Sequence, residues 1–325
     1  MLNIESIHLH PNFENILKKE EELNEKATLE FATLKNIPVK DAMDMNHALE
    51  LMRFTSEYIG EFKRNKIPKD VIVNPFEIDG TPAEWTILPG NLKDKVFLFF
   101  FGGGYVMGSL NASSHIRYLL NKYTHLNVLG IEYSLAPEKP FPAALEDAIK
   151  CYKWLLSSGF ASQDIAIGGS SAGGGLAVAT LLKAKEIGLV LPKAAVLISP
   201  WVDLTCRAKS IKKFKEIEPI LAMGLKPMSS LYTNRENKKN PYLSPVFGNL
   251  SGLPPILIHA GSIEPLIDDS QLLAETAKKY GVDVNLKIWE NMIHSFHIYG
   301  DEHPTGKEAF EDIGNFVKEK LVYKS

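Results

Sequence analysis

The chain has 325 residues, of which 36 are basic and 39 acidic, and its net charge at pH 7 is −3. This length is sufficient for one large α/β domain, or for one such domain with a smaller cap. The near balance of charge argues against nucleic acid or an anionic membrane surface as a partner. No apolar run approaches the ~18 residues that a transmembrane helix requires.

The first residues and the cysteines predict the cellular location. Residues 1–23 lack the basic stretch followed by an apolar core that marks a signal peptide. The two cysteines, Cys151 and Cys206, are typical of a reducing compartment, and a chain of this size does not need a disulfide. A cytoplasmic protein is therefore expected.

Residues 1–66 are rich in Glu, Lys, Leu and Ala, with apolar residues at helical spacing. Two or three short helices are marginal alone, so this segment must pack on something else, and we interpret it as the first part of a helical cap. His8, His10 and His47 are interpreted as surface or packing residues, because no nearby cysteine or histidine gives the spacing of metal ligands.

From Val71 onward, strand and helix patterns alternate. Short apolar runs indicate strands, and longer segments with helical spacing indicate the helices between them. The predicted strands are 71–78, 83–88, 96–101, 128–133, 165–168, 194–199, 255–260 and 284–289, and the predicted helices are 115–123, 143–157, 172–187, 269–280 and 307–320. Repeated βα units predict an α/β fold with a mostly parallel central sheet and helices on both faces.

The alternation stops between Thr205 and about Asn240. The basic cluster in this stretch is interpreted as a solvated helix face rather than an anion site. Because functional loops of α/β sheets gather at the carboxyl ends of strands, the stretch is predicted to be an insertion. The predicted organisation is an N-terminal cap segment (1–66), the first part of the α/β domain (67–204), a cap insertion (205–240) and the second part of the domain (241–325).

A possible nucleophile stands in the segment 164–179, where a short apolar strand passes through Gly169-Ser-Ser-Ala-Gly173 into a buried helix. This matches G-x-S-x-G, the turn that holds a serine hydroxyl at the carboxyl end of a sheet. Centring the pattern on Ser170 would require glycine where the chain has alanine, so Ser171 is the candidate. A phosphate-binding loop or a dinucleotide fingerprint would need lysine or glycine where the chain has glycine and valine.

A serine nucleophile needs a base and an orienting acid, which in the fold that uses this turn follow in the order acid, then histidine. His294 follows the strand 284–289 after the short loop start 290–293, and this position favours it over His297. His259 lies within a strand, which indicates a structural role, and His303 belongs to the approach to the last helix.

For the acid, Glu264 lies in the loop after strand 255–260, at the sheet end where Ser171 and His294 must also lie. Asp268 and Asp269 begin the following helix, where capping explains them. Asp203, after strand 194–199, remains the other contender. Glu264 is the predicted acid.

Backbone N–H groups must also face the negative charge that develops on the substrate oxygen. Ala172, the residue after the candidate nucleophile, would supply one of them. The Gly-Gly-Gly turn after strand 96–101 would supply the others, because residues without Cβ let the backbone approach the substrate.

Five motifs in order now resemble those of the hormone-sensitive-lipase-like carboxylesterases (the bacterial family IV type), which are α/β-hydrolases with a helical cap. The resemblance covers about residues 71–300. The family's H-G-G-G-Y is Phe101-Gly-Gly-Gly-Tyr105 here, D-Y-R-L-A-P-E is Glu132-Tyr-Ser-Leu-Ala-Pro-Glu138, G-D-S-A-G-G is Gly169-Ser-Ser-Ala-Gly-Gly174, D-P-L is Glu264-Pro-Leu266 and H-G-F is His294-Ser-Phe296.

The resemblance implies a function and assigns roles to residues. It implies hydrolysis of small, short-acyl esters with no metal or cofactor, and homodimerisation is compatible with it. The implied triad is Ser171, His294 and Glu264. The implied oxyanion N–H groups are those of Gly103, Gly104 and Ala172. The cap would be formed by residues 1–66 and 205–240. An amidase or deacetylase on the same residues, and a non-catalytic small-molecule binder, remain as alternatives.

Three positions depart from the family pattern. Phe101 replaces the histidine before the glycines, Ser170 replaces the aspartate beside the nucleophile, and Glu264 replaces an aspartate. None of these changes removes a group that makes or breaks bonds. Phe101 is the one feature that favours the binder.

Overall fold

A computed structural model describes residues 13–44 and 47–321. His8 and His10 lie outside the described residues, as does the beginning of the predicted segment 1–66. Within the described ranges, no helix combines the length and the apolarity needed to cross a bilayer.

An eight-stranded sheet forms the centre of the fold, in the spatial order β1-β2-β4-β3-β5-β6-β7-β8. The strands are β1 (Ile72–Ile78), β2 (Thr81–Ile87), β3 (Leu92–Phe100), β4 (Leu126–Ile131), β5 (Ile165–Ser170), β6 (Ala194–Ile198), β7 (Ile256–Gly261) and β8 (Val284–Trp289). Strand β2 pairs antiparallel with β1 and with β4, and all other pairs are parallel. The predicted α/β fold with a mostly parallel sheet is confirmed.

The helices follow the helical spacing of the sequence. They are α1 (Phe13–Lys35), α2 (Val39–Ala42), α3 (Ala48–Arg64), α4 (Ser114–Thr124), α5 (Ala143–Ser157), α6 (Ala172–Glu186), α7 (Lys209–Lys213), α8 (Pro219–Thr233), α9 (Ile267–Lys279) and α10 (Pro304–Leu321). Strands β4 to β7 are buried along their whole length, because helices cover both faces of the sheet.

Most predicted strands and helices shift by only a residue or two at their ends. The largest difference among the strands is at β3, which begins at Leu92 rather than at Val96, because its first residues are polar and partly exposed. Strands are predicted from runs of apolar residues, so the polar residues at the start of this strand are predicted as a loop.

Two helices, α7 and α8, occupy the stretch where the alternation stops, between β6 and β7. The basic residues at its start are exposed, as the interpretation of a solvated face predicts: Arg207, Lys209, Lys212, Lys213 and Lys215. The amino-terminal helices α1 and α3 contact each other, and α3 also contacts α4.

The topology decides where loops meet. Strands β3, β5, β6, β7 and β8 run parallel and are neighbours, so their carboxyl ends lie along one edge of the sheet. Loops that are far apart in the chain are therefore brought together at that edge, which is where α/β sheets place their ligands.

Candidate active site

Ser171 stands at a sharp turn between β5 and α6, with φ 54° and ψ −120°. A positive φ is uncommon for a residue with a side chain and is tolerated where the surroundings enforce it. The Ser171 N–H donates to the carbonyl of Ile198 at 2.8 Å, and its own carbonyl accepts from the N–H of Trp201 at 3.0 Å. A Cβ on Gly173 would lie 2.1 Å from the Phe100 oxygen, so the turn requires glycine there.

Glu264 and His294 face each other at the same edge. The Glu264 carboxylate is fully buried, and its Oε2 accepts hydrogen bonds from the Ser199 hydroxyl at 2.7 Å and from the Gly261 N–H at 2.8 Å. Its Oε1 lies 3.6 Å from His294 Nδ1. Among the described residues neither of these two buried atoms has a hydrogen-bond partner, so each is directed at the other.

The charges around His294 favour its protonated form. Burial alone lowers the pKa of His294, but the neighbouring Glu264 carboxylate outweighs this effect and leaves the pKa above its usual value. Within the described part of the chain, no hydrogen bond joins the Ser171 hydroxyl to His294. Catalytic hydrogen bonds are often long before substrate binds and shorten in the substrate complex.

The loop after β3 presents free backbone donors. Gly103 and Gly104 have φ values of 125° and 62°, which glycine adopts without strain. Neither of their N–H groups donates a hydrogen bond to another described residue, and the N–H of Ala172, first in α6, has no partner within its helix. The three expected oxyanion donors are thus unengaged in the structure described here.

Comparison with known proteins decides the family. The alpha/beta hydrolase fold family model matches residues 97–298. The chain belongs to this family. It is 38% identical to an acetyl-hydrolase from Streptomyces hygroscopicus over 252 residues, which cover 77% of this chain and 83% of that protein.

Solved structures give the same result for this α/β-hydrolase. The esterase EstE5, in crystals soaked with p-nitrophenyl butyrate, is 39% identical with a TM-score of 0.84, over 97% of this chain and all of that one. An esterase of the bacterial hormone-sensitive lipase family is 33% identical with a TM-score of 0.84, over 97% of this chain and 99% of that one. The resemblance to hormone-sensitive-lipase-like esterases is confirmed, and the protein is a carboxylesterase rather than a non-catalytic binder.

The other histidines of the esterase have different partners. His297 Nε2 lies 3.0 Å from His259 Nδ1, and His259 Nε2 lies 2.9 Å from Asp312 Oδ2 on α10. Burial lowers the pKa of both histidines. His303 Nδ1 accepts from the Thr305 N–H at the start of the same helix. His259 and His297 thus link β7 to α10, away from Glu264.

The rival carboxylates are also engaged elsewhere. Asp203 accepts from the N–H of Thr205 at 2.9 Å. Asp268 and Asp269 lie in the first turn of α9, where a negative charge is favoured by the helix dipole, but among the described residues neither carboxylate bonds an N–H group of that helix. Asp268 accepts from the Ser210 N–H at 3.0 Å, and Asp269 accepts from two consecutive N–H groups of the loop after β6, at 3.0 and 2.9 Å. Asp203 and Asp269 therefore hold the loop after β6, and Asp268 holds the start of α7.

Phe101 anchors the glycine loop by packing. Its ring stacks on Tyr133 with 4.1 Å between centroids, and the Tyr133 hydroxyl donates to the Phe101 carbonyl at 2.8 Å. With phenylalanine in place of the family histidine, the loop is therefore anchored by the contacts of Phe101 with Tyr133.

Arg53 on α3 is a supporting residue that sequence reasoning missed. Its Nε donates to the Val106 carbonyl at 2.7 Å, and Nη2 donates to the Ala136 carbonyl at 2.9 Å. The same guanidinium binds both carboxylate oxygens of Glu138. Arg53 thus ties the amino-terminal helices to the glycine loop. No motif marks it, since it is one basic residue among several in α3.

Helix α8 packs over the glycine loop. A Cβ on Gly104 would lie 2.3 Å from the sulfur of Met228, which shows how closely Met228 covers that residue. Tyr232 stacks on Tyr105 with 3.9 Å between centroids and an interplanar angle of 2°. Helix α8 therefore meets the loop where the oxyanion donors are expected.

Glu218, at the N-cap of α8, is the second residue that sequence reasoning missed. Its Oε2 accepts the backbone N–H of His294 at 2.9 Å. Burial raises the pKa of Glu218 to about 7, and its negative charge in turn contributes to the raised pKa of His294. Only the tertiary contact reveals this carboxylate, because nothing in its sequence context distinguishes it.

Proposed function

We propose that this carboxylesterase hydrolyses small, short-acyl esters through an acyl-enzyme, with Ser171 as nucleophile, His294 as general base and Glu264 as the acid that orients it. The observation that carries the proposal is the 3.6 Å approach of Glu264 Oε1 to His294 Nδ1, two buried atoms with no other partner among the described residues. They lie after β7 and β8, at the edge where the Ser171 turn follows β5.

In the proposed mechanism, Ser171 Oγ attacks the ester carbonyl carbon and its proton passes to His294 Nε2. Glu264 accepts from Nδ1–H, which fixes the tautomer and stabilises the imidazolium. The N–H groups of Gly103, Gly104 and Ala172 hold the oxyanion, and His294 returns the proton to the leaving alcohol. Water activated by His294 then hydrolyses the acyl-enzyme.

A cap formed by 1–66 and 205–240 would limit the size of the substrate. Support comes from Met228, which packs on Gly104, and from Arg53, which bonds the Val106 carbonyl at the end of the same loop. A similar protein is named an acetyl-hydrolase, and another was soaked with a butyrate ester. Both acyl groups are short, in line with a covered site.

A chain-length series tests the substrate class. With p-nitrophenyl esters from acetate to palmitate, we expect kcat/KM to be highest for short acyl groups and to fall steeply by about ten carbons, because a covered pocket has a fixed depth. Activation at a lipid interface is not expected.

Two results would contradict this substrate class. A maximum at long chains with interfacial activation would indicate a true lipase. Faster turnover of a p-nitroanilide than of the ester with the same acyl group would favour the amidase alternative.

Glu218 leads to a prediction about pH. Because its charge contributes to the raised pKa of His294, Glu218→Gln should lower that pKa, while the amide oxygen still accepts the His294 N–H. Only neutral His294 can act as a base, so the acidic limb of the kcat/KM profile should move to lower pH. The profile is measured from about pH 5 to 9.

Glu216→Gln, an exposed change on the same segment, is the matched control and should leave the profile in place. Coincident acidic limbs for wild type and Glu218→Gln would disprove the coupling of Glu218 to the base.

We also propose a cytoplasmic location, supported by Cys151 and Cys206, which are both buried and free. Burial raises the pKa of both thiols, which keeps them in the unreactive thiol form. Homodimerisation stays an expectation from the family resemblance.

A further inference from the structure

Two serine hydroxyls next to the proposed catalytic residues bond each other. Ser170 immediately precedes Ser171, and Ser295 immediately follows His294. Their Oγ atoms are 2.9 Å apart, and both residues are buried. This contact joins the loop of the proposed nucleophile directly to the loop of the proposed base, which no backbone hydrogen bond of the sheet does.

The backbone conformation of Ser295 is one that disfavours a side chain. Ser295 has φ 51° and ψ 32°, in the left-handed region where glycine is favoured and a side chain is disfavoured. The family motif has glycine at this position and aspartate at the position of Ser170. In this chain both positions are serine, and the two hydroxyls bond each other.

The pair extends to the proposed acid. The Ser295 N–H donates to the Ser199 hydroxyl at 3.0 Å, and that hydroxyl donates to Glu264 Oε2 at 2.7 Å. Ser199 is fully buried and its single hydroxyl proton is used on Glu264. A continuous chain of hydrogen bonds therefore runs from Ser170 through Ser295 and Ser199 to Glu264.

We propose that Ser170 and Ser295 are a positioning pair that holds the His294 ring between Ser171 and Glu264, with Ser199 connecting the pair to Glu264. The inference rests on the proposed triad. Neither hydroxyl is proposed to touch the reacting atoms. Ser199 binds the N–H of Ser295, and Ser170 binds its hydroxyl. These two contacts fix the orientation of Ser295 and therefore that of the adjoining His294. Small displacements of a base reduce the rate of proton transfer more than they reduce substrate binding.

A double-mutant cycle tests the pair. Ser170→Ala and Ser295→Ala should each lower kcat by about ten- to fiftyfold with KM within about twofold, since each leaves the other hydroxyl buried without a partner. The double variant should be no worse than either single variant, because the same interaction is lost in all three. If the His294 ring contacts Glu264 less closely in these variants, its pKa should fall. The acidic limb of the kcat/KM profile should then also move to lower pH.

Controls separate positioning from stability. Ser113→Ala removes a buried serine hydroxyl that bonds the Ser109 carbonyl at 2.8 Å, and it should lower the melting temperature while leaving kcat within about twofold. Ser295→Gly, which suits the left-handed backbone, keeps the fold even if Ser295→Ala does not, and it should still lower kcat.

The pair is refuted if the losses in kcat multiply in the double variant, or if the single variants alter stability and leave kcat and the pH profile as in Ser113→Ala. Failure of the triad gives a different result, namely activity that persists in Ser171→Ala.

Discussion

Ser171→Ala should reduce kcat by a factor on the order of 10⁴ to 10⁶, because it removes the atom that forms the acyl-enzyme and leaves only binding and oxyanion stabilisation. The same change should abolish labelling by a fluorophosphonate probe, which wild type should take up at one residue. The measurements are hydrolysis of p-nitrophenyl butyrate and mass spectrometry of the labelled peptide.

The control for this change is Ser157→Ala, which alters an exposed serine at the end of α5 and should leave both rate and labelling as in wild type. The register of the turn is tested by the site of labelling. A probe attached to Ser170, or hydrolysis undiminished in Ser171→Ala, would show that the nucleophile is assigned to the wrong residue.

Glu264→Gln should reduce kcat by a factor on the order of 10³ to 10⁴ while the fold is kept. Oε2 of the carboxylate accepts from Ser199 and from the Gly261 N–H, so the amide oxygen of glutamine will take that place. The NH₂ group then faces His294 Nδ1, where it favours the wrong tautomer and cannot stabilise the imidazolium. Steady-state kinetics and a melting curve separate the loss of rate from a loss of structure.

Asp203→Asn and Asp268→Asn serve as comparisons, because these carboxylates bond backbone N–H groups of the loop after β6 and of the start of α7, and not His294. Each should cost far less in kcat than Glu264→Gln. A greater loss in either of them would mean that another carboxylate orients the base.

For the proposed triad, the position of each residue in a loop just after a strand predicts that the three residues lie near one another. Ser171, Glu264 and His294 each follow a short apolar run, and parallel strands bring such positions to one edge of a sheet. Sequence could thus place three distant residues together without any contact being known. It could not supply the 3.6 Å approach of Glu264 to His294, which depends on the loop conformations after β7 and β8.

Sequence analysis missed the supporting residues because their contacts also depend on the tertiary structure. Arg53, in α3, and Glu218, at the N-cap of α8, are far along the chain from the residues they bond, and neither belongs to a motif. Their partners are backbone groups at Val106 and at His294, which any sequence would provide. Only the packing of α3 and α8 against the sheet edge selects these two side chains.

Asp268 and Asp269 lie in the first turn of α9, as the sequence indicates, but their hydrogen-bond partners could not be predicted. An acidic residue at a helix start satisfies free N–H groups of its own helix when no better partner is near. Here the loop after β6 and the start of α7 offer N–H groups across the fold, and the carboxylates bond those instead.

By itself, the sequence predicted the α/β fold and the mostly parallel sheet, because apolar periodicity is a local property that side chains impose wherever they occur. Five short motifs in order, one of them the glycine-serine turn, indicated the family by resemblance. The tertiary structure alone decided that Ser170 meets Ser295, that Glu218 bonds the His294 backbone and that Phe101 is stacked on Tyr133. These contacts join segments far apart in the chain, and their geometry depends on how several loops pack at one edge of the sheet.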